Sequence, residues 1–215
     1  MLVSTRAPFE FQFDEGKTMR ILLFGCFSAI LTLASPEILQ AQNLIVNPDF
    51  DVDLGAWTAS AGAIAAFDST HNVVGQIGSG SALVTNDQGP GSAVDISQCV
   101  PGPFVPGTYD FGAWVLMDPV PPLTGSARVS MTFYASSDCS GSVLDYRFVD
   151  SSGLNAWTLE TIPIVMSGGS VGSVRVRLET RLFTGGSGPL TAYFDGVRFG
   201  LMPTVPVELQ SFDVD

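Results

Sequence analysis

The chain has 215 residues and a formal net charge of −12, with 46% of its residues apolar and only 14% charged. That length buries one core, Gly and Pro are frequent, and long runs of strong helix formers are missing, which points to an all-β domain of short strands and turns. From Gln42 onward, six arginines, no lysine and seventeen acids leave a charge of −11, which disfavours partners rich in phosphate, nucleic acid and anionic membrane alike.

Residues 1–18 are acidic and irregular and fit no signal n-region, so Met19 is read as the start of the exported protein. Met19-Arg20, the apolar run Ile21 to Leu33, and Ala34-Ser-Pro-Glu-Ile-Leu-Gln-Ala-Gln42 then follow the order of a secretory signal peptide with cleavage after Ala41. The run is too short for a transmembrane helix, which needs about 20 apolar residues; an uncleaved anchor is the alternative. Cys26 has only five apolar residues before it and bulky Phe24 beside it, which argues against a lipoprotein cysteine. Removal of the leader leaves Cys99 and Cys139, an even pair in an exported chain, and therefore an expected disulfide.

Period-two patterning predicts strands at 44–46, 61–67, 81–85, 92–100, 107–117, 127–135, 143–150, 157–165, 173–179 and 191–199. Turn signals separate them: Gly78-Ser-Gly80, Asn86-Asp-Gln-Gly-Pro90, Pro101-Gly-Pro103, Ser140-Gly141, Ser167-Gly-Gly169 and Gly185-Gly-Ser-Gly188. Short strands at this spacing make a sandwich or a barrel. Alternation places Tyr109, Phe111, Ala113 and Val115 in the core, with the rows Val129, Met131, Phe133 and Val174, Val176, Leu178. The opposite faces carry Asp110 and Trp114, then Arg128, Ser130, Thr132 and Tyr134, then Arg175, Arg177 and Glu179, read together as a polar sheet face with two aromatic rings. Gln98 breaks the apolar row Val94, Ile96, Val100 and needs a partner, either buried backbone or a ligand.

Three segments carry a family resemblance: Asn43-Leu-Ile-Val-Asn-Pro-Asp-Phe-Asp51 at the start, Ile96-Ser-Gln-Cys-Val-Pro101 with Pro106-Gly-Thr-Tyr-Asp-Phe-Gly-Ala-Trp-Val115 in the middle, and Tyr193-Phe-Asp-Gly-Val-Arg-Phe199 at the end. Over Asn43 to Gly200 the chain resembles the jelly-roll carbohydrate-binding modules of families four, nine and twenty-two. The resemblance implies a jelly-roll β-sandwich of two antiparallel sheets, with a cleft where aromatic rings stack on sugars and polar groups bond the hydroxyls. Its candidate residues here are Trp114, Tyr134, Arg128, Arg175 and Gln98, with polysaccharide or a cell-surface glycan as partner. Trp57 and Trp157, after polar turns, are expected to seal the core.

Asp49-Phe-Asp-Val-Asp53 would line up three carboxylates about 7 Å apart on one face of an extended chain, a repulsion that calcium relieves. It is no EF-hand, since Leu54 and Ser60 stand where that loop needs Gly and Glu. The resemblance implies instead a structural Ca2+ held between Asp51 and Asp195, with Asp51 in place of the usual Glu.

Enzyme readings fare poorly: a serine triad would have to recruit His71, the only histidine, from the turn-like stretch Asp68-Ser-Thr-His-Asn72. A pair of carboxylates for glycoside hydrolysis stays open, because their separation is not visible in sequence. The tail Met202 to Asp215, with Pro206-Val-Glu-Leu-Gln-Ser-Phe212, resembles segments that follow such domains in exported bacterial proteins. The expectation is a secreted, non-catalytic module binding polysaccharide at or outside a bacterial cell. The alternatives are a structural or adhesive surface protein and, less favoured, a carbohydrate-active hydrolase.

Overall fold

The computed structural model describes residues 42–73, 79–118, 124–151, 154–186 and 188–202. The leader, its cleavage after Ala41, Met19, Cys26 and the tail from Pro203 all lie outside the described residues.

Among the described residues the regular elements are strands: β1 (Thr58–Ala59), β2 (Ala63–Asp68), β3 (Ser81–Asn86), β4 (Ala93–Pro101), β5 (Gly107–Met117), β6 (Gly125–Tyr134), β7 (Val143–Ser151), β8 (Thr158–Met166), β9 (Ser173–Leu182) and β10 (Leu190–Leu201). They form two antiparallel sheets, sheet A with the order β1-β4-β9-β6-β7 and sheet B with the order β2-β3-β10-β5-β8. The last eight strands pack β4-β9-β6-β7 against β3-β10-β5-β8, which is the jelly-roll winding of a β-sandwich.

The core follows from alternation. Val174, Val176 and Leu178 of β9 and Ala127, Val129 and Met131 of β6 are fully buried, and they face Phe111, Ala113 and Val115 of β5 and Phe194 and Phe199 of β10. Each large apolar side chain so buried contributes about 1.5–3 kcal/mol relative to exposure. Trp57 also belongs to this core; its ring packs 5.5 Å from that of Phe50 and its indole N–H donates to the Asn47 carbonyl at 3.3 Å. Trp157 is half-buried.

Two elements depart from the expected strands. Residues 44–46 are not a strand: Leu44 donates its N–H to the Phe199 carbonyl at 2.7 Å, but the next ladder positions are occupied by Asn43 and Gln98 side chains. The two-residue β1, not expected from sequence, is held by pairing Thr58 with Ser97.

Strand β10 runs three residues beyond the expected 191–199, with Leu190 paired to β3 and Gly200 and Leu201 paired to β5. A bulge interrupts its register with β5 between Asp195 and Arg198. Gly196 sits there at φ 54°, and a Cβ on it would come within 3.0 Å of the Trp114 ring, so a side chain here would be strained twice over.

Candidate functional site

The strand register arranges the outer face of sheet A in rows. One row reads Asp95, Glu179, Arg128, Asp150 across β4, β9, β6 and β7; the next reads Ser97, Arg177, Ser130, Phe148; a third reads Cys99, Arg175, Thr132, Tyr146. The floor is therefore alternately acidic, guanidinium and hydroxyl, and its β7 side ends in two aromatic rings.

Both rings reach solvent. Tyr146 and Phe148 are 38% and 47% exposed, and their centroids lie 5.5 Å apart at an interplanar angle of 30°. Arg128 fixes them from the side. Its guanidinium carbon lies 3.7 Å from the Phe148 centroid, while its Nε and Nη2 donate to the two carboxylate oxygens of Asp150 at 2.7 and 2.8 Å. Such a bidentate, aromatic-stacked guanidinium is a rigid arrangement. The hydrogen bond from Arg128 holds the Asp150 carboxyl below the ordinary carboxylate range.

Beneath the rings, Glu179 is buried and accepts from the Ser130 hydroxyl and, at 3.5 Å, from the Tyr146 hydroxyl. Arg177 donates to the Thr132 hydroxyl at 2.9 Å. Across the register from Glu179, Asp95 has its carboxyl raised, chiefly by burial, against the opposing pull of Arg177. The face thus offers charged donors and acceptors beside a flat apolar platform.

The Cys99–Cys139 disulfide closes one end of this face, with Cα atoms 5.9 Å apart. It draws the β6–β7 loop over β9, where Arg175 donates to the Cys139 carbonyl at 2.8 Å.

Sequence reasoning grouped five ligand candidates, and the structure separates them. Arg128 and Arg175 share the outer face of sheet A, although Arg175 is engaged by the loop. Tyr134 lies on the same side but is only 7% exposed, with the Arg175 guanidinium 5.5 Å from its ring. Gln98 resolves toward backbone: its carbonyl accepts from Val46 N–H at 2.8 Å and its amide donates to the Val46 and Ala56 carbonyls at 2.9 and 3.3 Å.

Trp114 requires a correction. It belongs to β5 in sheet B and points away from the sandwich on the other side, so it does not share a face with Tyr134. Alternation distinguishes inside from outside but not one outside from the other. Tyr146 and Phe148 were missed as site residues, although both fall on one side of the expected strand at 143–150.

Asp195, on the outer side of sheet B, is 3% exposed. Its two oxygens accept the N–H groups of Val73 at 3.0 Å and Gly196 at 2.7 Å. Burial raises its carboxyl above the ordinary value, with the charges of Asp49 and Asp51 adding to the rise; Asp49 is raised in the same way, by burial and by Asp51. The charges of Asp49 and Asp51 thus reach Asp195, although among the described residues no group of three or more His, Cys, Asp or Glu side chains is placed to hold a metal ion.

His71 lies nearby, its ring 4.1 Å from that of Tyr193, with Asp68 accepting its backbone N–H at 3.0 Å. The string Gly168-Gly-Ser170-Val-Gly172 has the letters of a nucleophile elbow, but it connects two strands, β8 and β9, whereas that elbow turns from a strand into a helix.

The same two-sheet winding recurs in solved structures. A family 61 carbohydrate-binding module in complex with β-1,4-galactotriose is similar at a TM-score of 0.50 and 13% identity, covering 75% of this chain and 99% of that one. This is the β-sandwich fold of carbohydrate-binding modules. A family 16 carbohydrate-binding module matches at TM-score 0.52 and 15% identity, over 73% and 99% of the two chains. A family 22 xylan-binding domain from Paenibacillus barcinonensis matches at 0.52 and 12%, over 77% and 97%. The enzymatically active domain of a bacteriophage CBA120 tailspike protein also matches, at 0.56 and 14% identity, over 74% of this chain but only 21% of its own length. No family model matches the sequence, and no curated protein matches it.

Proposed function

We propose that this protein is a non-catalytic module that binds polysaccharide on the outer face of sheet A. The observation that carries the reading is the exposed Tyr146–Phe148 pair, stacked at 30° beside Arg128 and above the Glu179–Ser130–Arg177 floor. A pyranose has one apolar face and an equatorial belt of hydroxyls. The rings supply area for the first, and guanidinium and carboxylate groups on the neighbouring strands supply charge-assisted bonds for the second. The disulfide supports an oxidising, extracellular setting, secreted or at a cell surface.

A structural Ca2+ completes the proposal. Asp51 and Asp195 would hold it; they are hard oxygen donors, and Asp49 and Asp195, raised first by burial and then by the charges of their acidic neighbours, would be relieved by a divalent cation. Its contribution would be to tie the N-terminal segment to β10, remote from the sugar face.

Affinity electrophoresis of the full chain through gels containing soluble polysaccharides tests the function. Retardation by one glycan, lost in Phe148→Ala and kept in Trp114→Ala, is the expected result. Retardation lost only in Trp114→Ala would move the site to sheet B, and the absence of retardation in a broad panel would overturn the function itself.

A further inference from the structure

Strand β7 is an open edge. Among the described residues it pairs only with β6, and Val143 to Phe148 are exposed without interruption. Val143, Leu144, Tyr146 and Phe148 keep 57%, 45%, 38% and 47% of their surface in water. A nine-residue edge with this much apolar surface is a template for another strand. The other edges are poorer templates: β1 has two residues, β2 six, and β8 carries Pro163 at its centre, which blunts it.

The order of residues along β7 names the partner. An antiparallel strand of the same sequence, in a register centred on Tyr146, sets Asp145 opposite Arg147, Leu144 opposite Phe148, and Tyr146 opposite itself. Acid meets base and apolar meets apolar from Leu144 to Phe148, above the bulge that interrupts the β6–β7 register between Val143 and Asp145. From Asp145 to Arg147 the sides of the sheet agree as well, since paired residues in an antiparallel ladder point to the same face.

We propose that two copies of this chain associate through β7, joining their A sheets into one continuous antiparallel sheet. Asp145 and Arg147 already bond each other within one strand at 2.8 Å, but their side chains are 48% and 57% exposed and free to exchange partners across the two-fold axis. They project beside an open groove of about 460 Å³ between the β7 and β8 edges, lined by Leu144, Ile162, Pro163 and Val165, and no element of the described residues covers it. In the dimer the Tyr146–Phe148 pairs of the two copies abut on one face. The association does not depend on what that face binds.

Sedimentation of the purified full chain across a concentration series tests the proposal, with circular dichroism to establish that each variant is folded. The expected result is a dimer in the micromolar range. Asp145→Arg and Arg147→Asp, which each place two pairs of like charges across the axis, weaken association by about tenfold or more, and the double reversal restores it. A chain that stays monomeric throughout, single reversals that leave association unchanged, or a double reversal that stays dissociated would each overturn the proposal.

Discussion

The guanidinium of Arg128 caps the ring of Phe148 at 3.7 Å while binding Asp150 through two nitrogens, so one aromatic ring of an edge strand is held as firmly as a core residue. That rigidity is what a stacking platform requires, because a ring already fixed loses little freedom when a ligand arrives.

The first prediction concerns that platform. Phe148→Ala and Tyr146→Ala should each weaken glycan binding by about tenfold or more, a loss in the range of truncated aromatic anchors at binding surfaces. Melting temperatures should fall only modestly, since 38% and 47% of the surface of Tyr146 and Phe148 already lies in water. Trp114→Ala should show the reverse: unchanged binding and a lower melting temperature, because its ring packs on the Gly196 bulge. Titration calorimetry and thermal melts on the same three variants check both halves.

A second prediction follows from Gln98. Gln98→Leu removes three bonds to Val46 and Ala56 and leaves their backbone groups without these partners. The cost should be about 2 kcal/mol, read as a fall in melting temperature of about 6 °C for a domain of this size. An unchanged melt would mean that water replaces the amide freely.

The third prediction links pH to the cation. The carboxyls of Asp49 and Asp195 lie above their ordinary value of 3.8, so the folded protein holds protons there that the unfolded chain has released. Without a cation, their contribution to stability is fully present below that ordinary value and is lost as pH rises through the raised folded values. Calcium should therefore raise the melting temperature at neutral pH and do little near pH 3.8, where the protonated carboxyls no longer attract it. Melts in calcium and in chelator at both pH values decide this, and an equal shift at the two would refute it.

The disulfide gives a fourth. A sequence separation of 40 between Cys99 and Cys139 implies a contribution of about 4 kcal/mol in the chain-entropy picture. Cys99→Ser with Cys139→Ser should lower the melting temperature by about 10 °C. Proteolysis of the double variant should cut first within the β6–β7 loop, which loses its covalent tie to β4.

Much of this molecule is legible in sequence, because the information needed is local. Val174, Val176 and Leu178 are inside because period two puts them there, and the pairing of Cys99 with Cys139 follows once Cys26 is read as part of a leader. The irregular Gln98 was visible as a position needing a partner. What stayed hidden was relational. Trp114 and Tyr134 both point outward, but β5 and β6, neighbours in sequence, enter different sheets, so their rings diverge. Leu144, Tyr146 and Phe148 alternate with Asp145 and Arg147, so the strand itself is visible in sequence; on an edge where apolar and charged residues are both exposed, alternation does not tell which rings join the outer face of sheet A.

The position of β10 also fixes an order of events in time. It is the last described strand, but it lies at the centre of sheet B between β3 and β5, and it receives the backbone and side-chain bonds of Asn43 and Leu44. Sheet B cannot close until Leu190–Leu201 has been synthesised. A nascent chain lacking this strand would leave β3 and β5 with bare inner edges and apolar surface that only the missing strand can cover, so folding of the sandwich awaits synthesis of β10.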